Sequence, residues 1–530
     1  MKHHIKTSSI FIVILLLLPG CDSFLDTVPD NRTELDTQEK ISQLLTSAYP
    51  DANYALIVNA MGDGISFRQG LSPQAGYNQY MFNEEAYFWR DLPSTNSDAP
   101  TGFWNACYYA IAGANHALAA IDAANNPEQY KYQRSEALLC RAFAHFLLVN
   151  LFAAPYDPGT FNSAPGVPYV DQPETKVLVS YSRTTVEYVY ARIEEDLEEA
   201  LKNLPLESQF KVPAYHFTDK AALTFASRFY LYKGDYQKVI DLTSQIVPVP
   251  VKAANGNVSA TDPANVWAAT YFAAFKQWPS NFSEISAQFR MASNKHNFLL
   301  RETYSLLARS WTCQYGTMSN TLPSSTVRNI TGGYWPFSSF YSTAFRDAYY
   351  LGKFTEYFFY TTSTTGTAMI MFPFIRAEEA LLNRIEAEIH LEQFSRAIND
   401  LNVYYRQRSG SASGTISSAY NEATMVLTQE KINAHWTASL GENFLKQYNA
   451  FGAATWSDDK IALMLTLLET KNAEYVQEGF RWFDILRYKI PVYHVTMNNQ
   501  VQTLLPDDPR RMWQIPESAV DWGLEANPRN

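Results

Sequence analysis

DKAALTFASRFYLYKGDYQKVIDLTSQI (219–246) and RAEEALLNRIEAEIHLEQFSRAINDLNVYYRQR (376–408) are two versions of one pattern. Setting Tyr236 on Phe394 superposes Lys238-Val239-Ile240 on Arg396-Ala397-Ile398, with a helix of similar length ahead of each. Each version reads as a helix, a tight turn at Gly234-Asp235 or Glu392-Gln393, and a second helix that an aromatic begins. Ala222 and Ala226 are small enough for close helix approach. This is the logic of a tetratricopeptide-like pair, which buries its apolar face by stacking on its neighbours. Leu231 and Ile389 fall at equivalent positions and are expected to be buried alike.

Outward from these hairpins, 101–122 and 131–152 make another candidate pair. Within SEALLCRAFAHFLLVNLF (135–152), Cys140 reads as a small buried hydrophobe and His145 as a satisfied core histidine; Trp104 reads as core as well. In TTVEYVYARIEEDLEEALKNLP, Val186, Val189, Ile193, Leu197, Leu201 and Leu204 recur at three- and four-residue steps. Thr184 with Glu187 is expected to cap that helix and Pro205 to end it, while Glu194, Glu195, Glu198 and Glu199 form a solvated face. Periodicity fades over about 61–100 and 247–370, where Pro, Ser, Thr, Asn and aromatics dominate. The expected architecture is mostly α, with tetratricopeptide-like helix pairs and a large irregular, loop-rich portion that binds ligand. As a domain plan, 38–530 is one unit with its helical scaffold mainly in 101–246 and 373–490 and loop-rich insertions at about 61–100 and 247–370.

The first 20 residues read as a lipoprotein export signal. Lys2 and Lys6 supply positive charge, Ile10 to Leu18 are apolar, and Gly20 precedes Cys21, the expected lipidation site. The apolar run is shorter than the ~20 residues that span a bilayer. Residues 21–37 would follow as a tether. Of 42 basic residues, 40 remain without Lys2 and Lys6, against 53 acidic ones, a formal −13 that disfavours nucleic acid. Beyond Cys21 there are Cys107, Cys140 and Cys313, too few for a disulfide framework. Aromatic residues make up 15% of the chain, with 34 Tyr and 11 Trp, more than a core alone calls for.

No HExxH, GxSxG, P-loop, paired CxxC or EF-hand loop occurs, so no catalytic residue, metal ligand or cofactor is expected. Adjacent acids such as Glu84-Glu85 and Asp507-Asp508 diverge on regular structure and do not flank a glycosidic bond. Binding candidates come from the irregular segments: Trp89, Trp311, Tyr315, Tyr334, Trp335 and Tyr341 as stacking rings, with Asp63, Arg68, Asn78, Arg90 and Asp91 as polar partners. The other readings of such a chain are a helical-repeat scaffold of an envelope assembly and a surface glycoside hydrolase or peptidase.

EYVQEGFRWFDILRYKIPV (474–492) resembles the EGxRWFDLxRW-type segment of the SusD/RagB family of nutrient-binding outer-membrane lipoproteins. There Phe480, Trp482, Phe483, Ile485 and Leu486 form an apolar cluster, and Arg481, Asp484 and Arg487 are spaced to pair across helical turns. CDSFLDTVPD (21–30) is similar to the family's start after the lipidated cysteine, and SEALLCRAFAHFLLVNLFAAPY (135–156) to its RAFxYFxLVxLFGxxP helix. SRTTVEYVYARIEEDLEEAL, the late helix pair from Arg376 to Gly410 and MWQIPESAV ending at Val520 match further family segments in order. The ending ANPRN and the turn AAPYDPG depart from the usual pattern. The resemblance implies a non-enzymatic protein on the cell surface, anchored to the outer membrane. It implies capture of oligosaccharides or peptides and their delivery, as a hinged lid, to a TonB-dependent transporter of the SusC/RagA kind.

Overall fold

The computed structural model describes residues 35–66, 79–175, 179–252, 256–272, 297–303, 317–318, 327–336, 340–342, 348–350, 357–410, 420–441, 443–496 and 498–529. Helices carry the fold. In chain order they are α1 (Gln38–Leu45), α2 (Ala55–Met61), α3 (Gln79–Tyr87), α4 (Pro100–Asp122), α5 (Lys131–Phe152), α6 (Val186–Ala200), α7 (Asp219–Lys233), α8 (Tyr236–Thr243) and α9 (Pro263–Tyr271). They continue with α10 (Ala377–His390), α11 (Phe394–Arg408), α12 (Gln429–Trp436), α13 (Phe444–Gln447), α14 (Asp458–Glu474), α15 (Phe480–Arg487) and α16 (Glu517–Asp521).

Both halves of the repeat are helix hairpins. Helix α7 packs on α8 and α10 on α11, with α10 wedged against α7, α8 and α14. Leu231 and Ile389 are both fully buried, as their equivalence requires. The turns match in backbone as well as position, since Gly234 has φ +88° and Glu392 has φ +58°. At Gly234 glycine is needed twice over, because a Cβ would also sit 2.7 Å from Pro158 Cβ. Glu392 adopts the same left-handed turn with a side chain, in a conformation that costs an L-residue about 1–2 kcal/mol.

Helices α4 and α5 form the expected further pair, and α6 packs on the other side of α5. Residues 135–152 of α5 are buried on every face, so its apolar run is a core helix enclosed by protein. Cys140 lies in this core, and burial raises its thiol pKa. Burial likewise lowers the pKa of His145 to about 3; its Nδ1 donates to Arg141 O and its Nε2 accepts from Val170 N–H. On α6 the cap lies one residue later than the sequence indicates. Thr185, not Thr184, accepts from the Tyr188 N–H, while Thr184 donates to Val167 O. The glutamates of α6 do form a solvated face, pairing with Lys233, Arg192, Lys238 and Lys202.

Strands are few and short among the described residues. β2 (Asn297–Thr303), β7 (Gly366–Arg376) and β6 (Tyr357–Tyr360) form an antiparallel sheet in the order β2-β7-β6, whose central strand runs into α10. The hairpin β8 (Val492–Val495) with β9 (Val501–Leu504) follows α15, and β4 (Phe340–Ser342) pairs with β5 (Ala348–Tyr350). β1 (Ile65–Ser66) pairs with β3 (Thr317–Met318), joining the two irregular segments.

The hairpins meet around buried charge. Arg376 reaches Glu474 and Glu478, Arg408 reaches Glu378 and Glu474, Arg384 is bidentate to Asp400, and Arg228 is bidentate to Glu379. Such pairs fix which helix faces which, because any other register strands a charge.

Glu469 on α14 is partly buried and in no ion pair among the described residues, with Oε2 sealed from water and without a hydrogen-bond partner. Burial pushes its pKa up to about 7. The folded chain then keeps a proton that the unfolded chain loses near the usual ~4.5. Glu469 therefore erodes stability as pH rises from about 4.5 to about 7, and not beyond. Glu469→Gln is expected to stabilise the protein by about 1–3 kcal/mol at pH 8 and to change little at pH 4.5. Urea unfolding at the two pH values measures it; an equal effect at both would show that ionisation is not the cause.

Candidate functional site

The segment after α3 turns sharply at Trp89, which has φ +53°, and runs along the C-terminal residues to form one wall of a cleft of about 610 Å³. That size lies within the range of small-molecule sites. The opposite wall comes from Arg510, Trp513, Glu517, Asp521 and Arg529, more than 400 residues away in sequence. Met61 and Ile57 of α2 contribute apolar floor.

The Trp89 indole is fixed before any ligand arrives. Its Nε1–H donates to Met61 O at 2.9 Å, and its ring stacks on His494 at 4.5 Å, which in turn stacks on Tyr87 at 4.0 Å. His494 sets its Nδ1 against Tyr87 O at 2.6 Å and its Nε2 against Gly62 O at 2.8 Å, tying β8 to the ends of α2 and α3. Across the cleft Arg510 sits 5.7 Å from the Trp89 ring and is held bidentate by Asp508. Asp91 takes both Nε and Nη2 of Arg529. Each guanidinium in the cleft is thus matched by a carboxylate, and the exposed Glu517 and Asp521 leave the wall with a net negative charge.

Arg511 turns inward from the same segment and donates to the carbonyls of Leu505, Ile485, Ile490 and Leu504. Burial lowers its pKa to about 10. One side chain thereby locks the cleft's C-terminal wall to α15 and to the β8–β9 hairpin.

Of the sequence candidates, Trp89, Arg90 and Asp91 come together in this cleft. Trp89 is only 3% exposed, however, so it presents an edge rather than a stacking face. Arg90 is exposed and pairs with Glu85. Asp63 does not line the cleft. Burial would raise its pKa, but the bidentate Arg481 guanidinium outweighs that and holds the carboxyl below its usual range. Arg481 thus turns away from α15 to pin the start of the irregular segment, and only Arg487 pairs with Asp484 along the helix, at 3.8 Å.

Trp335 is 1% exposed and packs on Tyr405, so it is a core ring and not a ligand platform. Its neighbour Tyr334 pairs by backbone with Gly410 and carries Arg328 over its ring at 4.7 Å. Tyr341 lies in β4. Arg68, Asn78, Trp311, Tyr315 and Cys21 lie outside the described residues. The cleft residues that sequence reasoning missed are Arg510, Trp513 and Arg529. The signal for the first two was the Arg510-Arg511-Met512-Trp513 run beside MWQIPESAV, and Arg529 carried none.

Two family models match the chain in order: one described as starch-binding associating with outer membrane, over residues 23–231, and the SusD family model over 304–504. No curated protein matches. Among solved structures, a SusD superfamily protein from Bacteroides fragilis superposes with a TM-score of 0.62 at 17% identity, covering 92% of this chain and 99% of its own. A SusD-like carbohydrate binding protein from Bacteroides vulgatus gives 0.55 at 16% identity, covering 92% and 96%. A laminarin binding SusD-like protein gives 0.52 at 16% identity, covering 92% and 99%. With the two models together matching most of the chain in order, the chain belongs to the SusD/RagB family.

Proposed function

We propose that this protein is a surface-exposed lipoprotein, anchored through Cys21, that binds oligosaccharide without turning it over and hands it to a TonB-dependent outer-membrane transporter. Peptide is the second ligand class. The observation that carries the reading is end-to-end agreement in fold with carbohydrate-binding and laminarin-binding SusD-like proteins. Local features support it. The Trp89 cleft is prearranged, and its guanidinium groups are already matched by carboxylates. The β1–β3 pair joins the two irregular segments and ends two residues short of Arg68 on one strand and Tyr315 on the other along the chain. Two or three ring contacts at roughly 1 kcal/mol each, with polar partners, give micromolar to millimolar affinity, which suits capture and handover.

Calorimetric titration of the purified protein with laminarin and starch oligosaccharides, and with oligopeptides, tests the ligand class. Saturable heat with the ligand recovered intact is expected for glycan; released product, or saturation by peptides alone, would overturn that part. Cys21→Ala is expected to move the protein from the detergent phase to the aqueous phase, since the acyl chains contribute about 0.8 kcal/mol per buried CH₂. Recovery of a TonB-dependent transporter with the wild-type protein from outer membranes checks the partner.

A further inference from the structure

A second groove, of about 670 Å³, lies on the other side of the wall that closes the Trp89 cleft. The wall is α16 and the residues after it. Val520 and Asp521 face the first cleft, whereas Ala519, Trp522 and Leu524 face the second. The remaining lining follows two periods. Trp104, Tyr108, Ala112 and His116 recur every four residues along one stripe of α4. Opposite them Pro168, Val170, Gln172 and Glu174 recur every two residues, as on one face of an extended chain.

That extended segment is held rigidly from behind. Tyr108 OH donates to Pro168 O, Asn115 Nδ2 to the carbonyls of Val170 and Gln172, Arg141 to Asp171 O, and Val170 N–H to His145 Nε2. With its backbone committed to α4 and α5, alternate side chains are left to the groove. Tyr181 OH donates to Glu174 Oε1 at 2.8 Å and orients the carboxylate. Trp522 stands 59% exposed on the facing wall, which leaves its indole open to a ligand in the groove.

We infer that this groove is a second carbohydrate site, specific for neutral glycans, in which Trp522 stacks on a pyranose face while Gln172, Glu174 and His116 meet the ring hydroxyls. The inference rests on the proposed glycan-binding function and adds a separate site to it. The chemistry of the lining selects the ligand. Among the described residues that line the groove there is no Lys or Arg, and Glu174 is the one carboxylate, so sulfated or uronic sugars meet a like charge there. A wholly apolar ligand would desolvate the Gln172 amide and leave the Glu174 carboxylate with the Tyr181 hydroxyl alone. A sugar ring combines the two needs, a CH face for the indole and an edge of hydroxyls for the amide, carboxylate and imidazole.

The test labels the whole protein with fluorotryptophan and assigns the Trp522 resonance by its loss in Trp522→Phe. Titration with neutral laminarin or starch oligosaccharides is expected to shift that resonance saturably, and a sulfated oligosaccharide to leave it in place. Trp522→Ala is expected to weaken this site about tenfold and Glu174→Gln about threefold, with unchanged melting temperature, while calorimetric binding elsewhere on the protein persists. Glycan heat with an unmoved Trp522 resonance would overturn the second site alone. Absence of any glycan heat would overturn the underlying function as well. A Trp522 shift produced only by aromatic peptides or by raising the protein's own concentration would assign the groove to a protein partner and sink the inference.

Discussion

Replacing Glu386 by alanine is expected to destabilise the fold by about 3–5 kcal/mol, because it strands two buried cations at once. Glu386 lies fully buried on α10. Its carboxylate meets Arg487 at 2.7 Å, Lys471 at 3.0 Å and the Tyr488 hydroxyl at 2.7 Å. Asp484 also pairs with Lys471, but alone it cannot neutralise both cations. The site is where α10 of the repeat, α14 and the EGFRWFD helix α15 converge, so the loss is felt by the whole scaffold. Burial by itself would raise the Glu386 pKa; Arg487 and Lys471 outweigh it and hold the carboxyl far below the usual range. The sign follows. The contribution is complete above the unfolded value of about 4.5 and declines as pH falls below it, because the unfolded chain takes up the proton first. Glu386→Gln keeps the shape and removes the charge, so it should cost less than alanine and flatten stability between pH 5 and pH 3. Denaturant unfolding at those two values measures both effects. A Glu386→Ala protein within 1 kcal/mol of its parent would show that this charge cluster is dispensable to the hairpin packing.

The hairpins were legible in the sequence, whereas this cluster was not, and the difference is physical. A helix announces itself through period, and its ends through turn residues, so 219–246 and 376–408 could be set in register from Tyr236 and Phe394 alone. The same period cannot say whether a polar residue on the helix faces water or a buried partner. Glu378, Glu386 and Glu388 look no different in sequence from Glu194 and Glu198, yet the first three are buried and the latter two pair with lysines at the surface. What separates them is a third layer of helices contributed by residues 458–487, and only the assembled fold supplies it.

The candidate site divides in the same way. Trp89, Arg90 and Asp91 were found as a group because they are contiguous in an irregular segment; their partners Arg510 and Arg529 arrive from the far end of the chain. Aromatics outside regular structure carry no period to reveal which way they face. Trp335 was therefore indistinguishable from a ligand platform until it proved to be packed on Tyr405, and Trp522 went unremarked although its ring stands largely in solvent. Asp63 looked like a polar ligand contact because Arg481, its bidentate partner, lies 418 residues away.

Gly479→Ala is expected to cost about 2–4 kcal/mol, which gives the glycine of the EGFRWFD motif a structural reason. Gly479 precedes α15 with φ +81°, a left-handed conformation that costs an L-residue about 1–2 kcal/mol. A methyl group there would also sit 2.7 Å from Tyr54 Cε2 and 2.9 Å from Val58 Cγ2. Tyr54 cannot give way, since its ring is held edge-on by Phe103, Phe372 and Phe483. Overpacking of this kind adds about 1–3 kcal/mol. The strain would spread in a definite direction. Helix α15 packs on α2, α2 supplies Met61 O to the Trp89 indole, and Arg481 of α15 clamps Asp63 just beyond α2. Displacing α15 from α2 therefore loosens the wall of the Trp89 cleft before it unfolds the hairpins. The expected signature is a lower unfolding midpoint together with faster hydrogen exchange at residues 55–66 and 85–91, and little change at 219–243. Uniform acceleration across both regions would mean instead that Gly479 acts only on global stability and that the cleft is held by other contacts.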